Sequence, residues 1–305
     1  MNSSCCKFQE SALDSALPPV LLIEFVLGLG CNTLALWMML RQLKSWKPYS
    51  VYLFSLTIAD FIVLFCVLFR ADYYLRNQNW IHGDIPCRIL LFALSASRAA
   101  GVIFLTIIAV DRYFKILFPF HRVNNITVKE AGIFCCLLWL GMLATYSYIL
   151  IGPHTVTIQN VTHCESFQIC PTDFSLSALQ DGLYVLMCIV SLGIISYCTV
   201  CIVLHLKKNT IDKDGKVKRA VRFVLSITFV YSICYLPSTF VRLTIWMLKF
   251  QRFEECKMYK DCNLTFYITV CFTYFYSMLN PILYYLSSAS PNQFNPVAML
   301  QNFCR

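Results

Sequence analysis

Long apolar runs broken by short polar connections set the pattern of this chain. Seven runs stand out, at Pro18–Leu40, Tyr49–Leu75, Ile85–Leu117, Ala131–Ile151, Leu176–Leu206, Ala220–Leu248 and Leu264–Leu286. Each reaches the roughly 20 residues that a helix needs to cross a bilayer. The pattern predicts an all-α membrane protein, a seven-transmembrane helix bundle over 18–287. It is flanked by an N-terminal tail at 1–17 and a short C-terminal tail at 288–305 with room for an amphipathic helix. The first 17 residues are too polar for a cleavable signal peptide, so the first span reads as an uncleaved signal anchor.

Composition agrees. Hydrophobic residues make up 58% of the 305 and charged ones only 13%, against about 25% charged in soluble domains. The mean hydropathy is +0.62. The length would allow two soluble domains, but no polar linker divides it.

The net charge of +9 could suggest a nucleic-acid partner, and its distribution argues against one. The connections after spans one, three and five, the tail and the adjoining helix ends hold 15 of the 25 Lys and Arg, while 11 of the 16 acids fall on the other half. Basic connections stay cytosolic, which gives an extracellular N-terminus and a cytosolic C-terminal tail. That basic face suits membrane lipid headgroups and an acidic or amphipathic protein partner. Glycosylation sequons at Asn2, Asn160 and Asn263 fall on the outer side. A fourth, Asn125, lands in a cytosolic loop and should stay unmodified.

Of the 17 cysteines, those within the spans (Cys66, Cys135, Cys136, Cys188, Cys198, Cys201, Cys234 and Cys271) read as small buried apolar residues. The outer set is Cys5, Cys6, Cys87, Cys164, Cys170, Cys256 and Cys262. That side is oxidising, so disulfides are expected there, in a pairing that sequence alone does not give. A bridge from Cys87, heading span three, to Cys164 would pin the loop after span four across the bundle mouth. Their scatter over four segments argues against a metal site, and nothing in the chain asks for a cofactor.

Span three carries two arginines. Arg112 sits at its cytosolic end beside Asp111. Arg98 lies 14 residues earlier, about 21 Å along the axis, and Cys87 about 16 Å further out. At 3.6 residues per turn the three fall within about 60° around the helix, so all face the bundle interior. Arg98 has no acid within a turn. A charge at that depth costs at least about 2.5 kcal/mol, and a carboxylate arriving from outside would meet it bidentately. The internal alternatives are Glu24, Asp60, Asp72 and Asp181. Arg70 near the outer end of span two and Arg242 in span six could complete a cationic funnel, or Arg70 could pair with Glu24 or Asp72.

These landmarks resemble the class A, rhodopsin-like G-protein-coupled receptors over essentially the whole chain. They are Asn32, "LTIAD" ending at Asp60, Cys87, "DRY" at Asp111–Tyr113, Trp139, "CYLP" at Cys234–Pro237 and "NPILY" at Asn280–Tyr284. Within that class "GDIPCR", "SRAAGVIFLT", "VDRYFK", "CESF" and "YYLSSAS" resemble the hydroxycarboxylic acid and oxoeicosanoid receptors. The resemblance implies a plasma-membrane, multi-pass receptor that takes a carboxylate-bearing metabolite and acts on a heterotrimeric G protein of the inhibitory (Gi/o) class. It implies Arg98 as carboxylate anchor, assisted by Tyr274, Glu165, Ser166 and Phe167. It assigns activation to Asp111, Arg112, Tyr113, Tyr235, Pro237, Asn280, Pro281 and Tyr284. It pairs Cys87 with Cys164, and Cys5 and Cys6 with Cys170 and Cys256. "FRADYYL" and "EFVLGL" look closer to the oxoeicosanoid receptor and keep a long-chain ligand open.

Departures from the family pattern are Cys31 before Asn32, Ser191 in place of the span-five proline, Tyr235 where Trp is common, and Asn280. Gly101 replaces a serine near Asp60, which argues against a sodium site. Leu94 at the amine-receptor aspartate position disfavours aminergic ligands. An organic-anion transporter would also use buried arginines, but no internal repeat is visible. A receptor that binds without coupling is the other alternative. No nucleophile–base or metal constellation points to an enzyme.

Overall fold

The computed structural model describes residues 11–41, 43–158, 160–164, 176–208, 216–250 and 256–279. Eight helices account for most of them: α1 (Ser11–Arg41), α2 (Pro48–Leu75), α3 (Asp84–Leu117), α4 (Val128–Tyr146), α5 (Leu176–Lys208), α6 (Lys216–Cys234), α7 (Leu236–Phe250) and α8 (Cys256–Phe275). Six stretches are long and apolar enough to span a membrane, α6 and α7 together forming one of 27 residues at Val221–Met247. Leu264–Met278, within α8 and the turn after it, supplies the shorter apolar seventh.

Local chemistry explains several boundaries. Pro48 opens α2, where its missing N–H is not needed. Thr127 caps α4: its Oγ1 accepts from the Glu130 N–H at 3.3 Å, and Glu130 Oε2 accepts from the Thr127 N–H at 2.7 Å. Pro237 cannot donate to Ile233, and a turn at Tyr235 interrupts the helix between α6 and α7. With Ser191 in place of proline, α5 runs unbroken for 33 residues.

Three expectations shift. α1 starts at Ser11 and runs through Pro18 and Pro19 rather than beginning on them. Leu17 and Leu21, one turn apart, are both buried against the bundle and carry the helix across the prolines. α4 ends at Tyr146 and continues only as a 3-10 turn to Leu150. Beyond it stands an unanticipated antiparallel hairpin, β1 (Thr155–Ile158) and β2 (Val161–Cys164), with Thr155 opposite Cys164. Its exposed tip holds Asn160 at φ 65°, a conformation that Asn tolerates.

α3 is the central helix and packs against α2, α4, α5 and α6, while α1 lies against α2 and α8. Its Leu94, Ala99, Ala100, Val102, Phe104, Leu105 and Ile108 are buried. Large side chains that point outward, such as Ile23, Val26, Phe65, Phe229 and Phe240, are exposed on the bundle's outer wall, where lipid solvates them. Cys66, Cys135, Cys188, Cys198 and Cys234 are buried thiols, whereas Cys136 is exposed and Cys201 and Cys271 are half-buried, contrary to the expectation for all eight.

Candidate functional site

The Cys87–Cys164 disulfide joins the head of α3 to the end of β2 across 77 residues. Polar contacts fix the hairpin around it. The Trp80 N–H donates to the Thr162 carbonyl at 2.7 Å, and the Thr162 N–H donates to Asn79 Oδ1 at 3.2 Å. Tyr73 Oη lies 3.1 Å from His163 Nδ1. Asp84 Oδ1 accepts from the N–H groups of His154 and Thr155 and from Thr155 Oγ1 at 2.9–3.3 Å, and Asp84 pairs with Arg88. The hairpin is thus tied to the ends of α2 and α3.

Beneath it lies a cleft lined by Leu17, Leu21, Arg70, Tyr74, Arg98, Phe266, Val270, Cys271 and Tyr274. It draws on α1, α2, α3 and α8 and leaves about 20 Å³ of space, room for about one water-sized group. Arg98, 8% exposed, donates from Nε to the Leu94 carbonyl at 3.2 Å. No ion pair among the described residues includes Arg98. Arg70, 5% exposed, donates from Nη1 to the Cys164 carbonyl at 3.3 Å, coupling the cleft to the disulfide. Arg98, Arg70 and Tyr274 therefore meet in one place. Asp72 is engaged by Arg76 and His82, each at 3.0 Å. Glu24 Oε2 is buried without a hydrogen-bond partner among the described residues.

Arg242 stands apart. Its Nη1 lies 2.7 Å from Asp181 Oδ1 on α5, and its guanidinium packs over the rings of Tyr184 and Phe266 at 4.8 and 5.5 Å. Asp181, one of the four acids weighed as a partner for Arg98, instead serves Arg242. Phe266, on which Arg242 packs, also lines the cleft.

At the bundle centre, Tyr235 stacks on Tyr231 at 5.3 Å and meets Tyr276 edge-on at 5.2 Å. The Tyr231 hydroxyl donates to the Cys188 carbonyl at 2.8 Å. A β-carbon at Gly101 would lie 2.3 Å from the Tyr235 hydroxyl oxygen. The place of the missing serine is filled by that hydroxyl, and Asp60 Oδ2 is buried without a hydrogen-bond partner among the described residues.

At the far end of α3, Asp111 is bonded chiefly to Lys115, whose Nζ reaches its carboxylate oxygens at 2.7 and 2.9 Å. Arg112 Nε is 3.8 Å from Asp111, and its guanidinium lies 4.3 Å over the Tyr49 ring. Tyr113 packs 5.9 Å from Tyr197. The i,i+4 neighbour Lys115, and not the adjacent Arg112, thus holds the Asp111 carboxylate.

Asn2, Cys5, Cys6, Glu165, Ser166, Phe167, Cys170, Asn280, Pro281 and Tyr284 lie outside the described residues. Cys256 opens α8 and Asn263 lies within it.

A helical bundle with a disulfide-pinned hairpin, a buried cationic cleft beneath it and Asp-Arg-Tyr at the opposite end of α3 has the architecture of a seven-span receptor. The model for the 7 transmembrane receptor (rhodopsin family) matches residues 31–284. The chain belongs to that family of multi-pass plasma-membrane receptors, which are not enzymes. It is 40% identical over 294 residues to hydroxycarboxylic acid receptor 2 of Homo sapiens, covering 96% of this chain and 80% of that one. Hydroxycarboxylic acid receptor 3 of Homo sapiens is 41% identical over 296 residues, covering 96% and 75%. Oxoeicosanoid receptor 1 of Homo sapiens is 32% identical over 288 residues, covering 93% and 72%. These relatives place the chain in the hydroxycarboxylic acid and oxoeicosanoid branch.

Proposed function

We propose that this receptor binds a carboxylate-bearing metabolite, a hydroxycarboxylic acid or an oxo- or hydroxy-fatty acid, and activates a heterotrimeric G protein of the inhibitory class. The observation that carries the reading is Arg98, buried at a cleft whose other lining is Arg70, two tyrosines and apolar side chains. An ionised group buried without a counter-charge is expensive, and a ligand carboxylate supplies that charge where it is missing. The narrow cleft takes the carboxylate head, Tyr274 offers it a hydroxyl, and Glu165, Ser166 and Phe167 assist in holding the ligand. Arg242, already matched by Asp181, serves as a wall of the pocket. The names of the relatives support an acid ligand, and Arg70 in the same cleft favours one longer than lactate.

Binding at the disulfide end is read out at the Asp111 end. There Arg112, Tyr113 and the Asn280-Pro281-Tyr284 motif meet the G protein once α6 moves about Tyr235 and Pro237. The deciding experiment is nucleotide exchange on inhibitory-class G proteins in membranes carrying the receptor, across carboxylates from lactate to oxo-fatty acids. At least one acid should drive exchange. A receptor that moves such an acid across the membrane without stimulating exchange would be a transporter and would overturn the proposal.

A further inference from the structure

The Asp111 end of α3 holds an arrangement that the Asp-Arg-Tyr motif alone does not imply. Both carboxylate oxygens of Asp111 accept from Lys115 Nζ, at 2.7 and 2.9 Å. Arg112 is left with an Nε 3.8 Å away, beyond the about 2.7–2.9 Å of a charge-assisted hydrogen bond. Its Nε and Nη2 are buried and have no hydrogen-bond partner among the described residues. What holds the guanidinium is aromatic: Tyr49 at 4.3 Å and Phe223 of α6 at 5.2 Å. Stacking of this kind is not directional in the way a bidentate ion pair is, and buried donors without acceptors raise the energy of the resting arrangement. Lys115 Nζ also stands 5.3 Å from the Tyr49 ring, so the two cations share one platform and compete for one carboxylate.

We propose that Lys115 is a positioning residue for signalling: by occupying the Asp111 carboxylate it keeps Arg112 from being clamped there and leaves the guanidinium poised for a backbone or carboxylate acceptor on the G protein. The inference rests on the G-protein coupling proposed above, though not on the identity of the ligand. Without Lys115, Arg112 needs to move by only about 1 Å to bond Asp111. The i,i+4 amine is therefore the device that decides which cation the aspartate holds.

The test uses the full-length receptor in membranes without ligand, reading basal nucleotide exchange for wild type, Lys115→Met, Lys115→Arg, Asp111→Asn and the double variant Lys115→Met/Asp111→Asn. Surface expression and agonist affinity serve as controls for folding. Lys115→Met should lower basal exchange about threefold or more, as a partly buried pair forms between Asp111 and Arg112. Lys115→Arg, which still reaches the aspartate, should restore it. Asp111→Asn, which removes the carboxylate that Arg112 would bond, should raise exchange in the Lys115→Met background. The same four-way cycle of Asp111→Asn and Lys115→Met, read by thermal unfolding of the purified receptor, should be non-additive. Basal exchange that rises in Lys115→Met, or effects that add in both readouts, would overturn the proposal. A wild type silent towards these G proteins would remove the coupling reading and leave the unfolding cycle to judge Lys115 alone.

Discussion

Gly101 gives the sharpest packing prediction, because a second substitution removes the one close contact. A methyl group there would sit 2.3 Å from the Tyr235 hydroxyl oxygen, 3.5 Å from its Cζ and 3.6 Å from Tyr276 Cε1. Ordinary contact begins near 3.4 Å, so the hydroxyl must retreat by about 1 Å. Tyr235 is fully buried and wedged between Tyr231 and Tyr276, which leaves it little room. Overpacking of this kind costs about 1–3 kcal/mol, while alanine is about 1 kcal/mol better than glycine inside a helix. Gly101→Ala should therefore destabilise the receptor by up to about 2 kcal/mol. Removing the hydroxyl with Tyr235→Phe leaves Cζ as the nearest Tyr235 atom, at an ordinary contact distance. In that background the helix preference remains, and Gly101→Ala should stabilise by up to about 1 kcal/mol. The assay is thermal unfolding of the purified, ligand-free receptor as single and double variants. A loss of the same size in both backgrounds would refute the close approach of Tyr235 as the reason for Gly101.

Three other outcomes follow from the same geometry. Asp181→Ala leaves the Arg242 charge without its carboxylate and should cost about 3–5 kcal/mol, seen as lost surface expression; Asp181→Leu/Arg242→Leu should recover expression and keep agonist potency if Arg242 is a wall and not a ligand contact. Arg70→Leu should weaken a long-chain acid more than a short one in dose–response curves, and equal shifts for both would remove its role in ligand size. His154 sits outside the spans, and burial holds its pKa below the ordinary 6.5 against the opposing pull of Asp84. Because the folded loop then binds fewer protons than the unfolded one, the stability that His154 contributes is present above about pH 6.5 and is lost as pH falls through that value towards the depressed pKa. Thermal unfolding at pH 7.5 and 5.5 should show an acid-dependent loss in wild type that shrinks in His154→Gln.

What the sequence made legible was whatever depends on spacing along one helix. The placement of Cys87, Arg98 and Arg112 on one interior face of α3 follows from the helical repeat, and the structure puts Cys87 in the disulfide and Arg98 in the cleft. Partners chosen across the bundle were harder to see. Asp181 lies 61 residues before Arg242, and nothing in either segment says that their helices meet there. Gly101 was visible as a missing serine, but the tyrosine that takes its room comes from another span. Lys115 is the opposite case, an i,i+4 partner of Asp111 readable from "DRYFK" even though Arg112 stands next to the aspartate. The β-branched strands Thr155–Ile158 and Val161–Cys164 were equally readable as a hairpin, with Asn160 at the turn.

The central claim is that Arg98 recognises the charge of the ligand and not merely its shape. Binding of a labelled carboxylate agonist from the active panel, competed by its unlabelled acid and by its carboxamide, tests this in membranes carrying wild type or Arg98→Ala at matched expression. In wild type the acid should compete at least tenfold better than the amide, since truncating one partner of a desolvated charge pair costs about 2–5 kcal/mol. Arg98→Ala should lose binding of the acid by a similar factor and no longer distinguish it from the amide. An amide that competes as well as the acid in wild type, or an Arg98→Ala receptor that keeps full affinity for the acid, would contradict the account.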